Sequence, residues 1–137
     1  MFPDLSPYDS SKIRIGFLSY DFKNHPTSHL TEGIFYWYNQ SSSSSSSSSP
    51  YDLEIAAYSY GMDDNSTYRN NIKNYLGGDD GNFFDISSLG HHSAINLIRD
   101  DKPHVVYDMQ GFTLGGRNEL TAYRIAPIQV SYLVFPG

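Results

Sequence analysis

The stretch KIRIGFLSYDFKNHPTSHLTEGIFYWY (residues 12–38) decides how the chain is read. It opens on KIRIGFLS (12–19), a short β-rich apolar run with the length and composition of a buried strand. It closes on HLTEGIFYWY (29–38), where Leu30, Ile34, Trp37 and Tyr38 fall at i, i+4, i+7 and i+8, one face of a helix. Of the chain's five histidines, His25 falls in the polar loop between them and His29 opens the second run, and Pro26 governs the loop's geometry. A residue before proline is pushed to extended backbone, so His25 cannot easily join the helix. Proline itself suits the first helical position, where its missing N–H costs nothing. The pattern predicts a strand, a tight loop and a helix with His25 at its N-cap.

Working outward, the same alternation repeats. YDLEIAAYSY (51–60) reads as a second strand and STYRNNIKNYL (66–76) as a helix capped by Ser66, with Tyr68, Ile72, Tyr75 and Leu76 on one face. GGDDG (77–81) is a loop and NFFDIS (82–87) a short third strand. SAINLIRDD (93–101) is a helix carrying Ala94, Leu97 and Ile98, and HVVYDM (104–109) a fourth strand entered through Pro103. RNELTAYR (117–124) is a short helix and PIQVSYLVF (127–135) a fifth strand. Strand–helix alternation implies right-handed crossovers and a mostly parallel sheet covered on both faces. The expected fold is therefore α/β and Rossmann-like, with strand order 3-2-1-4-5. Residues 1–11 are expected to be a disordered N-terminal segment. The serine run at 41–50 is expected to be a disordered insertion, because it has nothing to bury against its ordering entropy. The domain is then 12–137, interrupted by that insertion.

Composition narrows the function. A net charge of −6 with no cluster of Lys or Arg argues against a nucleic-acid or anionic-membrane surface. The absence of cysteine excludes disulfides and thiolate metal sites. No stretch has the length of a membrane span, and MFPDLSPYDSSK has no signal-peptide pattern, so the chain reads as soluble and intracellular.

In open α/β sheets the ligand crevice lies beyond the carboxyl ends of the strands, where strand order reverses. Here that is between strands 1 and 4, where YDFKNHPTSH meets DMQGFTLGGR. His25 at the helix start would project over it. Thr27 and Ser28 follow with N–H groups and hydroxyls that an anion or a sugar could use. Asp21, four residues before His25, could orient the imidazole and raise its basicity. A histidine at a helix start can equally be a plain capping or surface group, and His29 one turn on can be structural. His91 and His92 read as exposed loop residues and His104 as a half-buried packing residue. H-x₃-H lacks the glutamate and third ligand of a zinc site. The glycines of LGGR read as a turn before a short helix.

These residues carry a family resemblance. RIGFLSYDFKNHPTSHL (14–30), DMQGFTLGGRNEL (108–120) and RIAPIQVSYLVFPG (124–137) resemble, in order, three segments of the catalytic region of the protein O-linked N-acetylglucosamine transferases. The His-Pro-Thr-Ser-His run separates this family from the related protein O-fucosyltransferases. The resemblance implies the first lobe of a GT-B glycosyltransferase. Such an enzyme moves N-acetylglucosamine from UDP-N-acetylglucosamine to Ser and Thr of cytoplasmic or nuclear proteins, without a metal or other cofactor. It also implies that a second Rossmann-like lobe and substrate-binding helical (TPR) repeats belong to the parent, so that this chain alone is a fragment without turnover.

Residue by residue, the resemblance makes His25 the catalytic base, with Asp21 a second candidate acting through water. Asn24, Pro26, Thr27 and His29 match positions lining the pocket. Arg117 matches a structural or acceptor-side arginine, and Leu133 and Pro136 match the sugar-pocket turn. Among the departures from the family pattern, Val134 stands for glycine, Lys23 for a small residue and Phe112 for tyrosine. A β-branched residue at 134 cannot easily supply the positive φ or close backbone approach that glycine allows. The competing readings are a non-catalytic Rossmann-like binding remnant and an O-fucosyltransferase relative using GDP-fucose.

Overall fold

The structure is a computed structural model that describes residues 8, 11–43 and 52–133. Among these residues five strands form one sheet in the order β3-β2-β1-β4-β5, with every pair parallel. The strands are β1 (Lys12–Ser19), β2 (Asp52–Ser59), β3 (Phe83–Asp85), β4 (Val105–Asp108) and β5 (Ile128–Ser131). The helices are α1 (Pro26–Ser42), α2 (Thr67–Tyr75), α3 (His91–Asp101) and α4 (Asn118–Ala122). This is the predicted order, and it puts the reversal between β1 and β4.

The strands are buried on both faces because successive side chains serve opposite layers. Phe17, Ile55 and Ala57 join Phe22, Phe35, Ile72, Leu76, Phe83 and Met109 in the layer under α1 and α2. Leu18, Ala56, Tyr58 and Val106 face the other way, into a layer with Ala94, Ile95 and Ile98 of α3 and Leu120 of α4. Gly16 makes room within β1, since a Cβ there would run into the ring of Tyr58 on β2.

Four readings need correction. The Leu30–Ile34–Trp37 face of α1 points to solvent, with Leu30 and Trp37 72% and 67% exposed. The inward face is Thr27, Ser28, Thr31 and Phe35. Small hydroxylated residues let the helix lie close to the sheet. Their hydroxyls are all engaged: Thr31 Oγ1 donates to Thr27 O at 2.8 Å, Ser28 Oγ donates to Asp21 O, and Thr27 Oγ1 lies 3.2 Å from His25 Nδ1, so burying them leaves nothing unpaired. Next, α1 runs into the serine tract. Ser41 and Ser42 are helical and Ser43 is its C-cap, their hydroxyls bonding carbonyls four residues back; residues 44–50 lie outside the described residues. Then, His91 and His92 open α3 instead of sitting in a loop. The fifth strand is also shorter than its apolar run. Tyr132 N–H still donates to Asp108 O at 2.9 Å, and Leu133 then turns left-handed with φ 67°.

Candidate functional site

The loop from β1 to α1 is anchored by alternation. Asp21 and Lys23 face the crevice side while Phe22 between them is fully buried against Phe35 and Phe83. Burying that ring contributes about 1.5–3 kcal/mol, enough to fix where its neighbours point. The backbone is pinned as well. Ser28 Oγ donates to Asp21 O at 2.7 Å and accepts from Lys23 N–H at 3.2 Å. Ser28 is thus spent inside the loop and does not offer its hydroxyl to a ligand.

His25 is the N-cap of α1, with the extended backbone (φ −146°, ψ 149°) that Pro26 demands. Its Nδ1 accepts from Thr27 N–H at 3.2 Å and lies 3.2 Å from Thr27 Oγ1. The same nitrogen lies 3.5 Å from Asp21 Oδ2. The ring is partly open to solvent while Asp21 is buried. Asp21 is held on both oxygens, Oδ1 by Lys23 Nζ at 3.3 Å and Oδ2 by Gln110 Nε2 at 3.1 Å. Lys23 also lies 4.0 Å above the Tyr20 ring.

The remaining expected residues fall into two groups. Asn24 and His29 bond each other (Oδ1 to Nε2, 2.9 Å), and the His29 ring packs on Tyr68 of α2 at 4.1 Å. Asp64 secures this corner by accepting Asn24 N–H at 2.8 Å. Burial pushes the Asp64 carboxyl up, but donors from Asn24 and Ser66 outweigh it and hold the group below its ordinary value. Arg117 is tied elsewhere: its guanidinium donates to the carbonyls of Ile86 and Leu89, joining the β4–α4 loop to the β3–α3 loop. Leu133 is exposed just beyond β5; Val134 and Pro136 lie outside the described residues.

The loop after β4 completes the crevice. Gly115 takes φ +86°, and a Cβ there would come within 2.7 Å of the Tyr20 ring, so its glycine serves the contact between the two loops. Met62, Phe112 and Leu114 leave exposed apolar side chains on the loops at this end of the sheet. Among the described residues no group of three or more His, Cys, Asp or Glu is placed to hold a metal ion. No helix among them is long and apolar enough to cross a membrane.

Two residues that sequence reasoning passed over tie the site together. Arg69, 2% exposed, reaches from α2 to the Phe22 carbonyl at 3.1 Å, Ser59 Oγ at 2.8 Å and Asp85 Oδ2 at 2.6 Å. Its signal was the helical spacing of Arg69, Ile72 and Leu76 at i, i+3 and i+7, which puts a charge on the buried face. Gln110 spans the two loops. It follows β4 with no periodicity to mark it.

Comparison with known proteins bears on the family and the fold. The profile of glycosyl transferase family 41 matches residues 1–137. A probable UDP-N-acetylglucosamine–peptide N-acetylglucosaminyltransferase SEC of Arabidopsis thaliana is 34% identical over 126 residues, covering 92% of this chain and 12% of that protein. The UDP-N-acetylglucosamine–peptide N-acetylglucosaminyltransferase of Caenorhabditis elegans is 33% identical over 133 residues, covering 96% of this chain and 10% of that protein. A solved Thermobaculum terrenum O-GlcNAc transferase variant superposes with a TM-score of 0.73 at 20% identity, over 96% of this chain and 22% of that one. This likeness bears on the fold alone. The chain therefore spans a small part of the length of the relatives it matches. With the whole chain matched by one family profile and two relatives above 30% identity, this protein belongs to glycosyl transferase family 41.

Proposed function

We propose that the chain is the sugar- and acceptor-facing lobe of an inverting glycosyltransferase that transfers N-acetylglucosamine from UDP-N-acetylglucosamine to Ser and Thr hydroxyls of proteins. The acceptor oxygen forms its bond to the anomeric carbon as the bond from that carbon to the β-phosphate oxygen breaks. UDP leaves with the electron pair, and the hydroxyl proton passes to His25 Nε2. A positioned general base supplies roughly 10²–10⁴-fold. The observation that carries the reading is His25 at the switch point of the sheet, its Nδ1 facing the Asp21 carboxylate at 3.5 Å. Asp21, enclosed by Lys23 and Gln110, acts in this reading as the orienting carboxylate, not as the second base. Pro26, Thr27, Asn24 and His29 shape the pocket beside it, and Leu133 and Pro136 the sugar turn. The mechanism calls for no metal or other cofactor.

Stabilising the departing diphosphate requires cationic groups beyond this lobe. They come from a second lobe of the parent, whose helical repeats bind the acceptor proteins, in the cytoplasm or nucleus. Exposed Met62, Phe112 and Leu114 fit the face that a second lobe or an acceptor would cover.

The test uses the full-length parent, a Ser/Thr peptide and UDP release. His25→Asn keeps a good N-cap but has no base, and is expected to lose about 10²–10⁴-fold in kcat. The 137-residue chain alone is expected to show no turnover. Equal activity in His25→Asn, or turnover with GDP-fucose in place of UDP-N-acetylglucosamine, overturns the reading.

A further inference from the structure

Gln110 has no part in the reaction as written, yet its whole polar capacity is spent on the site. It is 1% exposed. Its Oε1 accepts from Tyr20 N–H at 3.2 Å and Ser19 Oγ at 3.3 Å. Its Nε2 lies 3.1 Å from Asp21 Oδ2, 2.8 Å from Thr113 Oγ1 and 2.9 Å from Leu114 O. Ser19 Oγ in turn accepts Asp21 N–H at 2.9 Å. Gln110 therefore fixes Asp21 twice, directly at the carboxylate and through Ser19 at the backbone.

His25 has two exclusive uses for Nδ1. In a neutral imidazole one nitrogen donates and the other accepts. When Nδ1 accepts Thr27 N–H, the proton sits on Nε2; the ring then caps the helix but offers no lone pair to an incoming hydroxyl. When Nδ1 carries the proton it needs an acceptor, and Nε2 is free to take one. The acceptors in reach are Thr27 Oγ1 at 3.2 Å and Asp21 Oδ2 at 3.5 Å. A bond to a carboxylate is roughly twice as strong as a neutral one, so Asp21 is the group able to displace the cap. The 3.5 Å separation closes with a small rotation of a ring that is 41% exposed.

We propose that Gln110 is a positioning residue: by fixing the Asp21 carboxylate beside Nδ1 of His25, it favours the tautomer whose Nε2 can act as a base. The proposal rests on His25 being that base, but its test needs no sugar nucleotide. The tautomer can thus fail while transfer stands, or stand while transfer fails. Imidazole ¹⁵N NMR of the 137-residue chain, at a pH where the ring is neutral, reads the ratio of the two tautomers directly. The wild-type chain is expected to hold the Nδ1–H form as the larger share. Gln110→Met is expected to move the ratio toward Nε2–H by about three-fold or more, the value of losing part of a charge-assisted bond. Asp21→Asn should move it the same way, and the double variant no further than Asp21→Asn alone. A purely structural role would lower stability without moving the ratio. Should Gln110→Met fail to fold by circular dichroism, Gln110→Asn, which withdraws the amide by one methylene, is expected to give an intermediate shift. A wild-type ring held only as Nε2–H overturns the proposal. So does a ratio unchanged in the folded Gln110 variant.

Discussion

Replacing Arg69 by Met tests how the loop is held. The guanidinium donates to two buried neutral acceptors, the Phe22 carbonyl and Ser59 Oγ, and pairs with Asp85 and with Asp63 at 3.2 Å. It also lies 5.1 Å over the Phe83 ring. Met keeps much of the volume and loses all four polar contacts. The two carboxylates are 49% and 44% exposed, so water takes over most of what Arg69 gave them. The larger loss is at Phe22 O and Ser59 Oγ, which stay buried and unpaired at about 1–3 kcal/mol each. The sum, about 2–6 kcal/mol, is centred on the usual range of about 3–5 kcal/mol for breaking a buried ion pair. With an unfolding entropy of ~2.1 cal/mol/K per residue, a loss in that usual range lowers Tm by roughly 10–17 °C. Thermal unfolding followed by circular dichroism, with urea titration for the free energy, gives both numbers. Arg69→Lys should lose roughly half as much, because one ammonium cannot reach all four acceptors. A loss below about 1 kcal/mol in Arg69→Met would mean that solvent already satisfies the Phe22 carbonyl, and that the loop does not depend on α2.

Two further outcomes follow from the sheet. Gly16→Ala sets a Cβ against the Tyr58 ring, which is fully buried and donates its hydroxyl to Asp101; overpacking there should cost about 1–3 kcal/mol in urea unfolding, with β1 otherwise unchanged. The Glu54 carboxyl is held below 4.5, first by its hydrogen bond from Lys12; burial opposes this, and the hydrogen bond from Arg14 with the charges of Lys12 and Arg14 outweighs it. A depressed folded pKa stabilises above the unfolded value and ceases to do so as pH falls through the folded one. The urea midpoint should therefore drop on acidification below about pH 4.5, and Glu54→Gln should flatten that part of the curve.

The strand order, and with it the crevice beside which the candidate site lies, was legible because it rests on local rules. Proline fixed the backbone at His25, and alternation of apolar runs fixed the topology. The face of α1 was not legible. Its apolar stripe follows the periodicity of a buried face, yet the helix phase is set at the other end, by Pro26 and by Ser28 bonding into the loop. Arg69 and Gln110 were missed for a related reason. Each is a polar side chain whose partners, among them Phe22, Asp85 and Asp21, lie on other elements, and no pattern along one element records them.

The outward face of α1 has a practical corollary. Trp37 is the only tryptophan in the chain, and it stands in water beside Tyr36 instead of in either core layer. With the indole so exposed, its emission is expected to be that of a hydrated fluorophore already in the native fold, with little change of colour on denaturation. A blue shift would instead announce that something has come to rest on that helix. The same photons that say little about folding make a built-in sensor for whatever docks there.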